Sequence, residues 1–307
     1  SRRSRCMDRR GLGFPPCRLD RGGQMHVAIG NQGEMAKLGP TGEPTDSFTR
    51  PFPAPILDGV TLSDRWVGFW VEREFREARM AALPLQGDWI DGPGRDDLRL
   101  SSLADSYIQP AGAIWHRILD AEPMAIGSVG GNIVFSTLGR GIYMIDSDAR
   151  EIWRAQHPVW PEISDIRVQD LLVSIVECPE GIAVWSQAGG VAVLDPSDGS
   201  LLSSRVLELG DKVSNATYAK GRGWLLMLHG GAIGLLENIG ERPEVLETGG
   251  PVLDAQYDGG EWRWTGWRHD GRLSEGRVFT TYREGIGVAI LDGRVMTNDG
   301  VWSDYSA

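Results

Sequence analysis

The chain has 307 residues, of which 41% are hydrophobic and 24% charged, and its net charge is −11. That composition belongs to a soluble globular protein with ample apolar surface to bury, and an acidic surface repels phosphate, so no nucleic-acid partner is expected. The longest apolar runs, such as Trp224-Leu-Leu-Met-Leu, are of strand length. They fall far short of the roughly 20 residues a spanning helix needs, so no membrane span is expected.

Residues 1–24 differ from the rest. Seven arginines there, including Arg18 and Arg21, face only Asp8 and Asp20, which gives net +5 and leaves −16 on residues 25–307. Low hydrophobicity with high charge predicts a disordered basic extension, or residues ahead of a start at Met25. No apolar stretch follows the charges, so no secretory signal is read. Cys6 and Cys17 lie in this extension and Cys178 is alone in the body. The body then has no internal disulfide, which fits a reducing compartment and a cytoplasmic location.

From residue 25 onward the chain reads as short strands. Met25-His-Val-Ala-Ile and Glu34-Met-Ala-Lys-Leu flank a hairpin turn at Asn31-Gln-Gly33. Ile56-Leu-Asp-Gly-Val-Thr-Leu, Arg65-Trp-Val-Gly-Phe-Trp-Val and Ala78-Arg-Met-Ala-Ala-Leu follow. Then one pattern recurs: an apolar strand, a tight Gly-rich turn, a second apolar strand and an acid. It runs from Gly131 to Asp146, from Gly181 to Asp195 and from Gly223 to Glu237. Repeats 40–50 residues apart that contain only strands predict a radial array of small antiparallel sheets.

The expected fold is therefore all-β: a single β-propeller domain over residues 25–307, with six to seven four-stranded blades and seven favoured. Six units are legible, and residues 98–119 have room for another. Met25–Leu38 and Val278–Ala307 are each incomplete, so the two termini are expected to close the ring by sharing one sheet.

The stretch Ile145-Asp-Ser-Asp-Ala-Arg-Glu-Ile-Trp153 resembles the repeat of quinoprotein-like (PQQ-like) propellers, in which a Leu-Asp strand end and a small-residue turn precede a Trp that docks between blades. Leu194-Asp-Pro-Ser-Asp-Gly-Ser-Leu-Leu is similar, with Leu202 near the place of the Trp. WD40-like repeats share the architecture, although no Trp-Asp dipeptide marks these units. The resemblance implies fold. The adjacent cysteine pair of many quinoprotein enzymes is missing, so non-catalytic scaffold members are the better analogues.

Motifs for chemistry are sparse. The five histidines show no metal-ligand spacing, no Gly-x-Ser-x-Gly elbow is present, and the Gly-rich pieces read as β-turns. No cofactor and no catalytic set is expected, and an enzyme is the less favoured reading. In a propeller, second-to-third strand turns and blade-to-blade loops share one face. Asn31, Arg140, Gln187, His229 and Arg283 fall there. Two long inserts, 87–112 and 154–166, are expected on the same face and bring Trp89, Arg95, His157 and Trp160. Trp and Arg anchor protein interfaces. The expected function is a non-enzymatic scaffold that binds a protein partner through this face.

Two alternatives come from different chemistry. A calcium-dependent, lactonase-like hydrolase would need Asp58, Glu177, Asn215 and Asp254 to converge in the central channel. A carbohydrate-binding propeller would use Trp262 and Trp264, which share one strand face, with Trp267 nearby. Packing between blades is the commoner use of such rings.

Overall fold

The computed structural model describes residues 11–103, 108–164 and 170–307. They form seven antiparallel sheets in consecutive order, five of four strands and two of three. Blade one holds β1 (Pro16–Asp20), β2 (His26–Gly30) and β3 (Met35–Leu38). Blade two holds β4 (Ile56–Thr61), β5 (Arg65–Glu72), β6 (Glu77–Pro84) and β7 (Trp115–Leu119), with helix α1 (Arg95–Leu103) inserted before β7. Blade three is β8 (Pro123–Val129), β9 (Asn132–Thr137), β10 (Gly141–Ile145) and β11 (Glu151–Ala155), and a short helix α2 (Pro161–Ser164) follows it. Blade four is β12 (Leu172–Cys178), β13 (Gly181–Ser186), β14 (Gly190–Leu194) and β15 (Leu201–Val206). Blade five is β16 (Val213–Ala219), β17 (Gly223–Leu228), β18 (Ala232–Leu236) and β19 (Glu244–Glu247). Blade six is β20 (Val252–Asp258), β21 (Glu261–Gly266), β22 (His269–Ser274) and β23 (Arg277–Tyr282), and blade seven is β24 (Gly287–Leu291), β25 (Arg294–Thr297) and β26 (Trp302–Asp304).

Burial follows strand position. Second strands such as β13 and β17 are buried along their whole length, because both of their faces meet a neighbouring blade. This explains their unbroken apolar sequences. Outer strands such as β15 are exposed.

Large rings fill the wedge between blades, and glycines make room for them. A Cβ at Gly271 would sit 2.3 Å from Trp264 Nε1, and one at Gly199 would sit 2.6 Å from the Trp153 ring. The docking tryptophan of the quinoprotein-like repeat is realised in Trp153. From β11 it packs on blade four and donates to the Pro196 carbonyl at 2.9 Å. Trp115 repeats the contact one blade earlier, donating to the Ser147 carbonyl at 2.8 Å. Leu202 does not take the corresponding place: it is 53% exposed, and Arg205 bridges to the Ile239 carbonyl instead.

Three expectations need correction. First, the N-terminal stretch is not disordered up to residue 24. Pro16–Asp20 is the inner strand of blade one, and Leu12, Phe14 and Leu19 are buried. Two of the seven arginines that suggested disorder are held in ion pairs: Arg18 with Asp20 and Asp58, Arg21 with Asp254. Residues 1–10 lie outside the described residues. Second, the termini close the ring as neighbouring blades rather than in one shared sheet. Leu12 N–H donates to the Gly300 carbonyl at 3.0 Å. Residues 44–49, bridged to β3 at Pro44 and Thr49, take the place of a fourth strand in blade one. Third, the described residues of 98–119 form no extra blade: Leu98 is in α1, and 115–119 is the fourth strand of blade two.

Candidate functional site

Two places on a ring of this kind can meet other molecules: the channel along the axis and the turns on the two faces. The channel encloses a cavity of about 940 Å³ lined by the inner strands. In six of the seven inner strands a bulge separates the first residue from the third. A bulge re-aims the side chain that follows it. The third residue is polar in five of these strands: Arg18, Asp58, Ser174, Asn215 and Asp254.

These side chains lace one blade to the next. Arg18 donates to the Leu57 carbonyl of blade two at 2.7 Å. Asp58 accepts from Ile126 N–H of blade three at 3.3 Å. Ser174 donates to the Ala216 carbonyl of blade five at 3.2 Å. Asp254 accepts from Ile290 N–H of blade seven at 2.7 Å. Arg21 then spans the seam between the first and last blades, pairing with Asp254 and donating to the Ile290 carbonyl at 2.6 Å. Burial works to lower the Arg21 pKa, but Asp254 outweighs it and raises it. Burial pushes Asp58 up to about 6, with Arg18 opposing and Asp20 adding to the shift.

The four residues considered for calcium do reach the channel, yet their oxygens are engaged elsewhere. Glu177 accepts from Gly130 N–H at 3.2 Å, and Asn215 from Ala216 N–H at 2.8 Å. Among the described residues no three His, Cys, Asp or Glu side chains converge on one point that could hold a metal. The sugar-binding reading fails on burial: Trp262 is 6% exposed and Trp264 fully buried.

The faces follow from connectivity. The upper face collects the second-to-third strand turns and the blade-to-blade loops; the lower face collects the other turns. Arg140, Gln187 and His229 stand in upper turns, with Arg140 and His229 exposed and Gln187 half-buried. His157 is half-buried in the loop between blades three and four. Trp160, in the same loop, is instead part of the core, stacked against Gly190. Arg283 is also buried and clamps Asp270 beneath the surface. Burial works against the Asp270 charge, but Arg283, Thr265 and Ser306 hold its carboxyl below the usual range.

The insert 87–112 does not rise from the upper face. It connects third and fourth strands, so it leaves blade two at the lower face, where Leu85 N–H donates to the Asp64 carbonyl at 2.9 Å. It then climbs the outside of the groove between the first two blades. Trp89 stays low, donating to the Pro84 carbonyl at 2.7 Å beneath the Lys37 ammonium. Arg95 reaches the upper turn of blade two and pairs with Glu74 at 2.8 Å. Leu98 is fully buried against the core around Trp66 and Trp70.

The upper turn of blade six, Trp267-Arg268, is a further exposed feature of this face that no sequence motif marks. Trp267 is 57% exposed, whereas each of the other eleven tryptophans is buried or half-buried. The available signal was its place between two strands in a two-residue turn, where a ring has no neighbouring blade to pack on.

No family model matches the chain, and no curated protein matches it in sequence. Among solved structures it is similar to the WD40 β-propeller domain of Doa1, at 10% identity and a TM-score of 0.60, covering 96% of this chain and 93% of that one. The chain is a β-propeller of seven blades. It is also similar to Sqt1 of Saccharomyces cerevisiae (12% identity, TM-score 0.58, 93% and 82% of the two chains). BamB from Moraxella catarrhalis shows the same propeller likeness (11% identity, TM-score 0.57, 92% and 82%). At these identities the likeness is one of fold. No described helix is long and apolar enough to cross a membrane.

Proposed function

We propose that this propeller is a scaffold that binds a protein partner across its upper face. One contrast carries the reading: most polar groups of the channel join one blade to the next, while the upper turns present exposed side chains, of which Arg140 meets only the exposed carboxylate of Asp120 at 3.5 Å. Arg140, His229 and Trp267 are exposed there on separate blades of one rigid ring. Fixed turns on a rigid scaffold suit recognition, because little order is lost on binding. The likeness to a WD40-type propeller fits a protein-interaction scaffold.

Affinity capture from native lysate tests it. An upper-face variant combining Arg140→Ala, His229→Ala and Trp267→Ala should lose specific companions. A lower-edge control, Leu201→Ser with Leu202→Ser, should retain them. Identical companions on both variants would refute the assignment. Deleting residues 87–112 is the wrong perturbation, since it removes Leu98 from the core.

A further inference from the structure

We infer that the upper turn of blade six is the anchor of this face, and that it takes a segment of a protein partner in which a carboxylate lies beside an apolar side chain. The inference rests on the scaffold reading and names the chemistry of its partner.

The backbone supplies the first observation. Arg268 has φ +60°, in the left-handed region where a side chain crowds its own carbonyl. Its carbonyl accepts the N–H of Arg283, the residue that follows the outer strand, at 2.9 Å. Blades four, five and seven make the same bond, from Leu207, Thr248 and Leu12, to Gly189, Gly231 and Gly300. Those three are glycines at positive φ. Blade six thus keeps an arginine where blades four, five and seven use glycine, as blade two does in its own upper turn with Arg76 at φ +53°, and strain retained in this way points to function.

The side chains say what the strain secures. The Arg268 guanidinium lies 5.4 Å from the centre of the Tyr282 ring and donates to the Tyr282 hydroxyl at 2.5 Å, so its plane is fixed before any ligand arrives. Tyr282 is 65% exposed. Among the described residues Arg268 has no carboxylate within ion-pair distance, so a held cation stands without an anion. Beside it Trp267 offers a bare indole, and its backbone N–H donates to the Pro251 carbonyl at 2.9 Å. The adjoining loop is Gly249-Gly250-Pro251, which raises no long side chain over the indole. Exposed Trp, Tyr and Arg at one spot, two of them pre-oriented, is the composition of an interface hot spot.

A random peptide library displayed on phage is panned against the full-length protein, and the enriched sequences are measured as fluorescein-labelled synthetic peptides by anisotropy. Enriched peptides should carry Asp or Glu next to an aromatic or aliphatic residue. Trp267→Ala and Arg268→Gly should each weaken their binding by about tenfold or more. Arg268→Gly should melt within about 2 °C of wild type, because relief of the left-handed strain offsets the added freedom of the unfolded chain. Enrichment of peptides without acids, or no enrichment over uncoated support, overturns the inference. Binding lost in Arg140→Ala/His229→Ala but kept in both blade-six variants overturns it while sparing the upper-face reading. Binding indifferent to all these changes overturns both.

Discussion

The Arg21–Asp254 pair holds the ring shut, and Arg21→Met measures how much. Arg21 comes from the turn after the inner strand of blade one and reaches across blade seven to blade six. Its loss leaves the Asp254 carboxylate facing only the Ile290 N–H. Removing one member of a fully buried pair costs about 3–5 kcal/mol. Here the side chains are 32% and 14% exposed, so channel water screens part of the charge. The expected loss is about 2–3 kcal/mol, or a fall in Tm of roughly 3–5 °C for a chain of this size. Asp254→Asn keeps an acceptor for Ile290 and isolates the charge. A double-mutant cycle on melting free energies should give a coupling of about 1 kcal/mol or more. The exposed pair Arg154–Glu151, at 61% and 44% exposure, serves as control and should change stability by less than about 0.5 kcal/mol. Additive effects of Arg21→Met and Asp254→Asn, or an Arg21→Met melt equal to the control, would refute the clamp.

Asp58 makes stability depend on pH in an unusual direction for a carboxylate. Its folded pKa, about 6, lies above the ordinary Asp value of 3.8. The folded state therefore holds the proton more tightly than the unfolded chain, and stability falls as pH rises from about 4 through 6. Asp58→Asn should gain on wild type by about 2 kcal/mol between pH 4 and pH 8 in urea titrations; a pH-independent difference would remove Asp58 as the cause. Gly271→Ala should cost about 2–3 kcal/mol in thermal melts, since the new methyl meets a fully buried Trp264 ring. An unchanged Tm would mean that the blade-six ring can slide.

The sequence by itself determined the architecture. Continuous apolar strands such as Gly181–Ser186 and Gly223–Leu228, broken by glycine turns and repeated some forty residues apart, bury both faces only when sheets stand side by side around an axis. The docking Trp153 was legible for the same reason: the contact between successive blades is written within one repeat. Everything that depends on which blades meet across the ring was not legible. Arg18 and Arg21 read as a solvated charge run, because their partners Asp58 and Asp254 lie about 40 and 233 residues away. Trp160 and Trp267 look alike as exposed-loop tryptophans, yet one is 5% and the other 57% exposed. The insert around Trp89 and Arg95 could be located in the chain but not assigned a face, because that depends on which strand it leaves. Periodicity is a local property and fixes the repeat. Ion pairing, burial of single rings and the face a loop reaches are set by closure of the ring, which only the tertiary structure decides.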